Sequence, residues 1–339
     1  MSRSSIFSFD TLRLSSVPRA WTYSAIATVA LFGLAELGAR TLMAPVGERA
    51  WTYWDDKAAN KFETYRQRAL DGSAPEVLAI GDSTAAYNFV PASFSETSEV
   101  TDVYNLAWPA NFPLSFQQTT LPILREGAAP RYVILIQAAT SFIDQEDMRI
   151  EAGILSSVLA KRQRGDFLVA DYLHLSRLYP ARRLLSKHWL RGETELLDPP
   201  PAQGYMSLGP GQPLTDTERQ ARIDGEAAHG ETLNAKLDRR GFSEEKRASV
   251  TRLADLAKER GFQLIVVLSP LRSRPMPDVF VEHRAWLREL QEDKGFLLWD
   301  MLDTPEIAFD DYSDGIHLLE PAAVVFSRKL GERFHNTLR

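Results

Sequence analysis

The residues of this chain best suited to chemistry are a serine in its first third and an aspartate–histidine pair near its end. Ser83 follows an apolar stretch within VLAIGDSTAAYNF (77–89), and Asp314 and His317 lie in the loop DDYSDGIH. A serine hydroxyl is a weak nucleophile at its own pKa and requires an adjacent base. His317 has the right chemistry to deprotonate Ser83, and Asp314 to hold the imidazole in the useful tautomer.

A structural interpretation of the same serine stays open at this point. Serine and aspartate are favoured helix N-caps, so Asp82 or Ser83 is also suited to begin the helix that the following residues predict. The distant Asp-x-x-His segment favours the nucleophile, because the other five of the six histidines lie in stretches typical of helices or surfaces.

The aspartates before His317 also raise the question of a metal site. An EF-hand loop starting at Asp310 requires Asp or Asn at position 312 and Glu at 321, where this sequence has Tyr312 and Pro321. The chain has no cysteine, which excludes thiolate ligands, thiolate catalysis and disulfides. We therefore expect neither a metal nor another cofactor.

Length and composition indicate an ordinary globular protein. At 339 residues the chain can form one large domain or two smaller ones with a sizeable core. Its hydrophobic and charged fractions, 44% and 25%, exclude disordered and collagen-like chains. The mild net charge of -6 argues against nucleic acid as a partner.

The N-terminal segment 20–43 has the features of a transmembrane signal anchor. No charged residue occurs in AWTYSAIATVALFGLA, and the apolar character continues to Met43. A spanning helix needs about 20 mostly apolar residues. The arginines that precede the segment predict that residues 1–19 are cytoplasmic and that the domain formed by 44–339 is extracytoplasmic, that is, periplasmic.

Two alternatives to an uncleaved anchor are disfavoured by the sequence. A cleaved signal peptide is disfavoured because no clean small-x-small site follows the apolar stretch. A buried helix of a soluble domain is disfavoured by the N-terminal position and the basic flank. We therefore predict a single-pass protein of the inner or plasma membrane, with the lipid bilayer as one partner.

Five short apolar runs predict the strands of a mainly parallel sheet. They are Val77–Ile80, Val103–Leu106, Tyr132–Gln137, Gln263–Leu268 and Phe296–Trp299. Strands covered on both faces have this continuous apolar character, and amphipathic stretches alternate with them. The pattern predicts an α/β fold, a three-layer sandwich with a doubly wound sheet that binds ligands at the carboxyl ends of its strands. The less regular residues 141–249 are expected to form an insertion.

These motifs resemble those of the SGNH/GDSL hydrolase superfamily, which has a flavodoxin-like fold. Gly-Asp-Ser ends a strand near the start of the globular part, and Asp-x-x-His stands near the C-terminus. VYNLAWPAN (103–111) resembles the second block of the family, and YVILIQAATSF (132–142) falls where the third is expected. The anchor, RGFQLIVVLSP and YSDGIHLLEPAA resemble in particular the membrane-anchored DltD/AlgJ/AlgX-like branch.

The resemblance implies acyl chemistry at a serine. By it, Ser83 is the nucleophile, His317 the base and Asp314 the partner that orients the base. It also implies an oxyanion hole formed by the serine N–H, a glycine N–H from the second block and an asparagine side chain from the third.

The chain departs from this implied oxyanion hole at two points. The glycine position is occupied by Ala110, whose N–H can still donate if the backbone angles allow. In place of the asparagine, the third block offers Gln137, Thr140 and Ser141. A hydroxyl or a carboxamide can replace asparagine as a donor, and the loss of one donor costs about 100- to 1000-fold in rate.

Three further residues are candidates for lining the substrate site. Asp82 adjoins the nucleophile, Trp108 lies in the second block, and Tyr205 lies in a loop rich in proline and glycine. Trp108 and Tyr205 are of the type that stacks on sugar rings. For both, packing of the ring under a loop is the alternative.

Together, these features predict a membrane-anchored serine esterase or O-acyltransferase acting on ester groups, in particular O-acetyl groups, of a cell-surface or exported polysaccharide. The resemblance also implies a membrane-bound O-acyltransferase as a partner. Two alternatives stay open. One is a non-catalytic accessory protein that binds glycan or the acyltransferase, and the other is a lipase or thioesterase.

Overall fold

The computed structural model describes residues 19–43, 56–144, 202–273 and 275–339. Helix α1 (Arg19–Met43) belongs to a separate compact unit from the α/β part. Its stretch Ala20–Gly38, 19 residues with a mean hydropathy of 1.3, is long and apolar enough to cross a membrane. A membrane anchor and a signal sequence both have these features.

A five-stranded parallel sheet forms the centre of the α/β part. Its strands are β1 (Val77–Gly81), β2 (Val103–Asn105), β3 (Tyr132–Ile136), β4 (Gln263–Leu268) and β5 (Leu297–Asp300), in the order β2-β1-β3-β4-β5. Every neighbouring pair is parallel. The chain adds strands to one side of β1 and then to the other, so the sheet is doubly wound. Each strand lies within one residue of its predicted bounds, and the predicted α/β fold is confirmed.

Helices cover both faces of this sheet. On one face lie α2 (Asp56–Leu70), α5 (Pro113–Arg125), α7 (Glu244–Arg260) and α8 (Asp278–Lys294). On the other lie α3 (Ser83–Asn88), α4 (Pro91–Ser98) and α9 (Glu320–Leu338). The remaining helix of the described α/β part, α6 (Asp216–Arg240), contributes Leu233 and Leu237 to the first face.

Side chains that point alternately to the two faces of the sheet form the two hydrophobic cores. In β1, Leu78 and Ile80 join the core beneath α2 and α5, whereas Val77 and Ala79 join the core beneath α4 and α9. Successive side chains of a strand point to opposite faces, so a continuous apolar run supplies both cores at once. The result is a three-layer sandwich that holds the carboxyl ends of β1, β3 and β4 at one rigid edge.

Local signals in the sequence explain where several helices begin and end. The side chain of Thr215 caps α6 in a reciprocal capping box with Glu218, and Ser243 caps α7. Gly261 ends α7 in the left-handed conformation, with φ of 75°, as the sequence predicts for a C-cap.

The predicted insertion 141–249 is described only at its two ends, because residues 145–201 lie outside the described part of the chain. After residue 201, a loop passes over α3 and the start of α9. The Met206 N–H donates to the Ala86 carbonyl, and the Glu320 N–H donates to the Gly209 carbonyl. The loop after residue 201 thus supplies one border of the edge where the strands end.

Candidate active site

Strand β1 delivers Ser83 through a turn that only glycine can make. Gly81 has a φ of 142°, in the range that residues with a Cβ rarely adopt. A Cβ at this position would overlap the carbonyl oxygen of Ile136 on the neighbouring strand β3. The close approach of β1 and β3 therefore fixes the point at which the chain leaves the sheet.

Asp82 caps the helix that begins at Ser83. Its Oδ1 accepts a hydrogen bond of 2.9 Å from the Thr84 N–H, while Oδ2 accepts from the Ala138 N–H at 3.1 Å and from the Ser141 hydroxyl at 2.8 Å. The carboxylate is fully buried. The cap and nucleophile interpretations are therefore compatible, because Asp82 is the cap and Ser83 is the first residue of the helix.

The structure brings Ser83, His317 and Asp314 together from opposite ends of the chain. His317 Nε2 lies 2.8 Å from Ser83 Oγ, and His317 Nδ1 lies 2.6 Å from Asp314 Oδ2. Asp314 Oδ1 accepts hydrogen bonds from the N–H groups of Ile316 and His317 at 2.9 and 3.0 Å. In this order of contacts, the imidazole can take the serine proton on Nε2 while Asp314 holds the proton on Nδ1.

The carboxylate of Asp314 stays ionised over a wide pH range. Burial alone raises its pKa, but the hydrogen bond from His317, the charge of that ring and the two backbone N–H groups outweigh burial and lower the pKa to about 2. An ionised carboxylate beside Nδ1 stabilises the imidazolium that forms when the serine proton moves.

Two residues of α3 that are not among the candidates predicted from the sequence also contact the histidine segment. The Tyr87 ring meets the His317 ring edge-on, with centroids 5.4 Å apart. Asn88 donates to the Ser269 hydroxyl and to the Ile316 carbonyl, each at 2.9 Å, and its Oδ1 accepts from the Leu318 N–H at 2.8 Å. The helical spacing of Tyr87 from Ser83, i to i+4, was a signal that could have identified it.

Ala110 lies in a turn after β2 that is attached to the end of β1. The Trp108 N–H donates to the Gly81 carbonyl at 3.3 Å. Ala110 itself is buried and has a left-handed backbone with φ of 59°, a conformation that favours glycine. Its N–H has no acceptor in the described ranges of the chain. The alanine therefore adopts, under strain, a backbone conformation that favours glycine.

The three third-block candidates take different places after β3. The Ser141 hydroxyl donates to Asp82, and is therefore engaged in structure rather than directed at an oxyanion. Both polar atoms of the buried Gln137 carboxamide lack a partner within the described residues. Thr140 lines a cavity of about 350 Å³ beside Asp314. An unsatisfied buried carboxamide is costly, which makes Gln137 the polar group here with the most unused hydrogen-bonding capacity.

The cavity beside Asp314 has an apolar wall and a polar border. Leu233, Leu271, Phe280 and Ile316 form the wall, while Glu226 and Ser273 are among the polar residues. Glu226 is not free, because it pairs with the buried Arg272 and accepts from the Ser273 hydroxyl. The volume falls in the range of small-ligand sites.

The two aromatic candidates pack against the hydrophobic cores and do not form an exposed platform on which a sugar ring could stack. Trp108 is only 8% exposed, and its ring lies within the first core. Tyr205 is half-buried and packs against the second core, close to the contact of Met206 with α3. Both rings thus follow the packing interpretation. No group of three or more histidine, aspartate or glutamate residues within the described ranges is arranged to hold a metal ion.

Comparisons with known proteins give a distant structural likeness. Neither a protein-family model nor a curated protein sequence matches the chain. The chain is similar, with a TM-score of 0.37 and 11% identity, to a solved structure described as a lipolytic protein of the G-D-S-L family from Desulfitobacterium hafniense, over 76% of this chain and 98% of that one. A Streptococcus pneumonia protein described as a platelet activating factor gives 0.36 and 11%, over 79% and 89%.

Proposed function

We propose that this chain is a serine esterase or O-acyltransferase in which Ser83 forms an acyl-enzyme intermediate. The observation that carries the proposal is the continuous contact from Ser83 Oγ to His317 Nε2, at 2.8 Å, and from His317 Nδ1 to Asp314, at 2.6 Å. A nucleophile, a base and an orienting carboxylate in this order are the arrangement that activates a serine for acyl transfer.

The reaction proceeds in two balanced steps. Ser83 Oγ attacks the carbonyl carbon of an ester while His317 Nε2 takes its proton, and the imidazolium then returns that proton to the departing alkoxide. In the second step, His317 Nε2 takes the proton of an incoming hydroxyl, whose oxygen attacks the acyl–Ser83 ester. The imidazolium then returns a proton to Ser83 Oγ as the serine leaves. The hydroxyl of water gives hydrolysis, and that of a sugar gives transfer.

The oxyanion of each step requires hydrogen-bond donors. We assign this role to the N–H groups of Ser83 and Ala110. The Gln137 carboxamide is buried and can join them only after a rearrangement that exposes it. The Ser83 N–H stands in the first turn of α3, where helix N–H groups have no helical partner. The Ala110 N–H and the Gln137 side chain both lack partners among the described residues. Thr140 and Ser141 are less suited, since Ser141 already donates to Asp82.

The proposed location and substrate are supported by the apolar helix α1 and by the resemblance of the sequence motifs to the DltD/AlgJ/AlgX-like branch. We propose that α1 anchors the protein in the inner or plasma membrane, with the α/β domain on the periplasmic side. There it acts on acyl esters, in particular O-acetyl groups, of a cell-surface or exported polysaccharide. A membrane-bound O-acyltransferase that brings the acyl group across is the expected partner.

The cavity favours a second candidate within the same chemistry. An acetyl group occupies a small part of 350 Å³, and the wall of Leu233, Leu271 and Phe280 suits an aliphatic chain. A lipase or thioesterase that accepts longer acyl groups is therefore the alternative enzyme. The accessory-protein alternative has less support, because it leaves the Ser83–His317–Asp314 contacts without a role.

One experiment separates the two enzyme candidates from the accessory protein. The full-length chain in detergent micelles is treated with a serine-reactive fluorophosphonate and with p-nitrophenyl acetate, alongside Ser83→Ala. Ser95→Ala is the matched control, since the Ser95 hydroxyl on neighbouring α4 has no partner in the described part of the chain. We expect labelling and turnover in the wild type and the control, and neither in Ser83→Ala. A folded wild type that is not labelled would overturn the proposal.

Measurements on cells distinguish an enzyme that adds esters from one that removes them. Polysaccharide ester content is compared between the wild type and a strain carrying Ser83→Ala. A transferase predicts fewer esters in the mutant strain and an esterase predicts more. Unchanged ester content, together with turnover of longer esters in vitro, would favour the lipase or thioesterase.

A further inference from the structure

A lysine lies fully buried beside the turn that carries Ala110. Lys61, on α2, has no exposed surface, and its Nζ donates a hydrogen bond to the Ala107 carbonyl. No carboxylate within the described residues forms an ion pair with it. Burial lowers the pKa of its ammonium group well below the usual value. A lysine in this position is costly, so its contact with Ala107 requires an explanation.

The Ala107 carbonyl depends on this lysine. Ala107 is only 1% exposed, so its carbonyl is hardly accessible to water. No other donor to this carbonyl is present in the ranges that the structure describes. The Ala107 N–H is already satisfied by Asn105 Oδ1 at 3.0 Å. Buried backbone groups without a partner are unfavourable. Lys61 therefore completes the hydrogen bonding of the first residue of the turn.

The turn lies between the lysine and the nucleophile strand. Lys61 Nζ is 6.0 Å from the centre of the Trp108 ring, and the Trp108 N–H donates to the carbonyl of Gly81, two residues before Ser83. Ala110 follows with its left-handed backbone, which persists only where the surroundings fix it. Lys61 thus contacts the turn at the Ala107 carbonyl, and Gly81 contacts it at the next residue, through the Trp108 N–H.

We propose that Lys61 is a positioning residue, which holds the turn 107–110 so that the Ala110 N–H is available to the oxyanion. The proposal rests on the proposed function of Ser83. It predicts that Lys61 affects the rate of the chemical step more than substrate binding, because the oxyanion donor acts in the transition state.

The test compares three variants of the full-length chain in detergent micelles. Lys61→Met keeps an unbranched chain without a donor, and Lys61→Gln keeps a donor that is one bond shorter. Tyr104→Phe is the matched control: it removes the hydrogen bond of 3.0 Å from the Tyr104 hydroxyl to the Lys61 carbonyl, on the same α2–β2 interface but away from the turn. The measurements are kcat and KM for p-nitrophenyl acetate, the rate of fluorophosphonate labelling, and thermal melting.

We expect kcat of Lys61→Met to fall by about 10- to 100-fold, the range caused by misplacement of a catalytic group by about 1 Å, with KM within about 2-fold of the wild type. Lys61→Gln is expected to be intermediate. Tyr104→Phe should lower the melting temperature and leave kcat unchanged. Wild-type kcat in folded Lys61→Met overturns the proposal.

Failure of the proposed function gives a different result, since the wild type itself is then inactive and unlabelled. Amide hydrogen exchange decides the role of Lys61 in that case. Lys61→Met should accelerate exchange of the Trp108 and Asn111 N–H groups and leave that of β3 unchanged. If neither variant folds, wild-type exchange is decisive: protection of these two amides equal to that of β1 supports the proposal, and fast exchange overturns it.

Discussion

The hydroxyl of Ser141 donates a hydrogen bond of 2.8 Å to Asp82 Oδ2, so the segment after β3 is tied to the residue before the proposed nucleophile. The Ala138 N–H binds the same oxygen atom. The fully buried carboxylate of Asp82 thus holds the ends of two neighbouring strands in register with Ser83.

This hydrogen bond predicts that Ser141 contributes to stability and does not contact the oxyanion directly. Ser141→Ala removes one donor from a buried carboxylate, and we expect the free energy of unfolding to decrease by about 1–3 kcal/mol. The kcat for p-nitrophenyl acetate should fall by less than about 10-fold, since no direct oxyanion contact is lost. Urea unfolding and steady-state kinetics measure both. A loss of kcat of about 100-fold at unchanged stability would instead make Ser141 an oxyanion donor.

Gly81 and Gly261 allow a matched test of why glycine is required at the strand end. Both have positive φ, but a Cβ at Gly81 meets the Ile136 carbonyl, whereas a Cβ at Gly261 meets nothing within 4 Å. We expect Gly261→Ala to cost about 1–2 kcal/mol of unfolding free energy from backbone strain. Gly81→Ala should cost about 3 kcal/mol or more, because steric overlap adds to that strain. Equal losses in urea unfolding would contradict the close β1–β3 approach.

Asp314 predicts a specific pH dependence of stability. Its pKa is lowered from 3.8 to about 2 in the folded chain, so the unfolded state binds more protons between these values. The associated stability is fully present above pH 4 and is lost as the pH falls towards 2. The free energy of unfolding of Asp314→Asn should depend less steeply on pH in this window. Urea unfolding of the two proteins is measured at several pH values from 5 to 2. Equal slopes of the free energy of unfolding against pH would contradict the assignment.

The same substitution separates stability from catalysis at neutral pH. Asp314→Asn keeps the shape of the side chain but removes the charge that stabilises the imidazolium and fixes its tautomer. We expect kcat to fall by as much as about 10⁴-fold with a modest change of KM. Retention of more than about a tenth of the wild-type kcat would remove Asp314 from the mechanism.

The cavity predicts a dependence on acyl chain length. Leu233→Phe adds volume to the apolar wall from α6, while Ile223→Phe adds it to an exposed position of the same helix. The ratio of kcat/KM for p-nitrophenyl octanoate to that for the acetate should fall by about 10-fold in Leu233→Phe and stay constant in Ile223→Phe. An unchanged ratio in Leu233→Phe would show that acyl chains do not enter this cavity.

Much of the fold could be predicted because the sheet is covered on both faces. Strands buried on two sides appear as short apolar runs, and all five predicted runs correspond to strands within one residue. The same pattern places Gly-Asp-Ser at the end of β1, and Asp-x-x-His in the loop between β5 and α9. A loop after β5 then brings His317 Nε2 to Ser83 Oγ, a contact between residues 234 positions apart that depends on tertiary packing.

The details of the oxyanion region could not be predicted, because they depend on hydrogen bonds between distant segments. Ser141 had the right residue type for a donor, but its proton is used by Asp82. Trp108 had the right type for sugar stacking, but its ring is buried. The burial of Lys61 could not be predicted from the sequence, because a lysine in a polar helix is normally solvated. Its burial results from the packing of α2 over the turn after β2.

The arrangement of the triad along the chain also determines when it can form. A ribosome makes Ser83 long before Asp314 and His317, and the segment that bears the base is held by contacts with Asn88 and by α9, the last helix of the chain. During synthesis, and during any passage of the chain through a translocation channel, the serine has no base beside it. The proposed activity therefore begins only when folding has brought these two distant segments together.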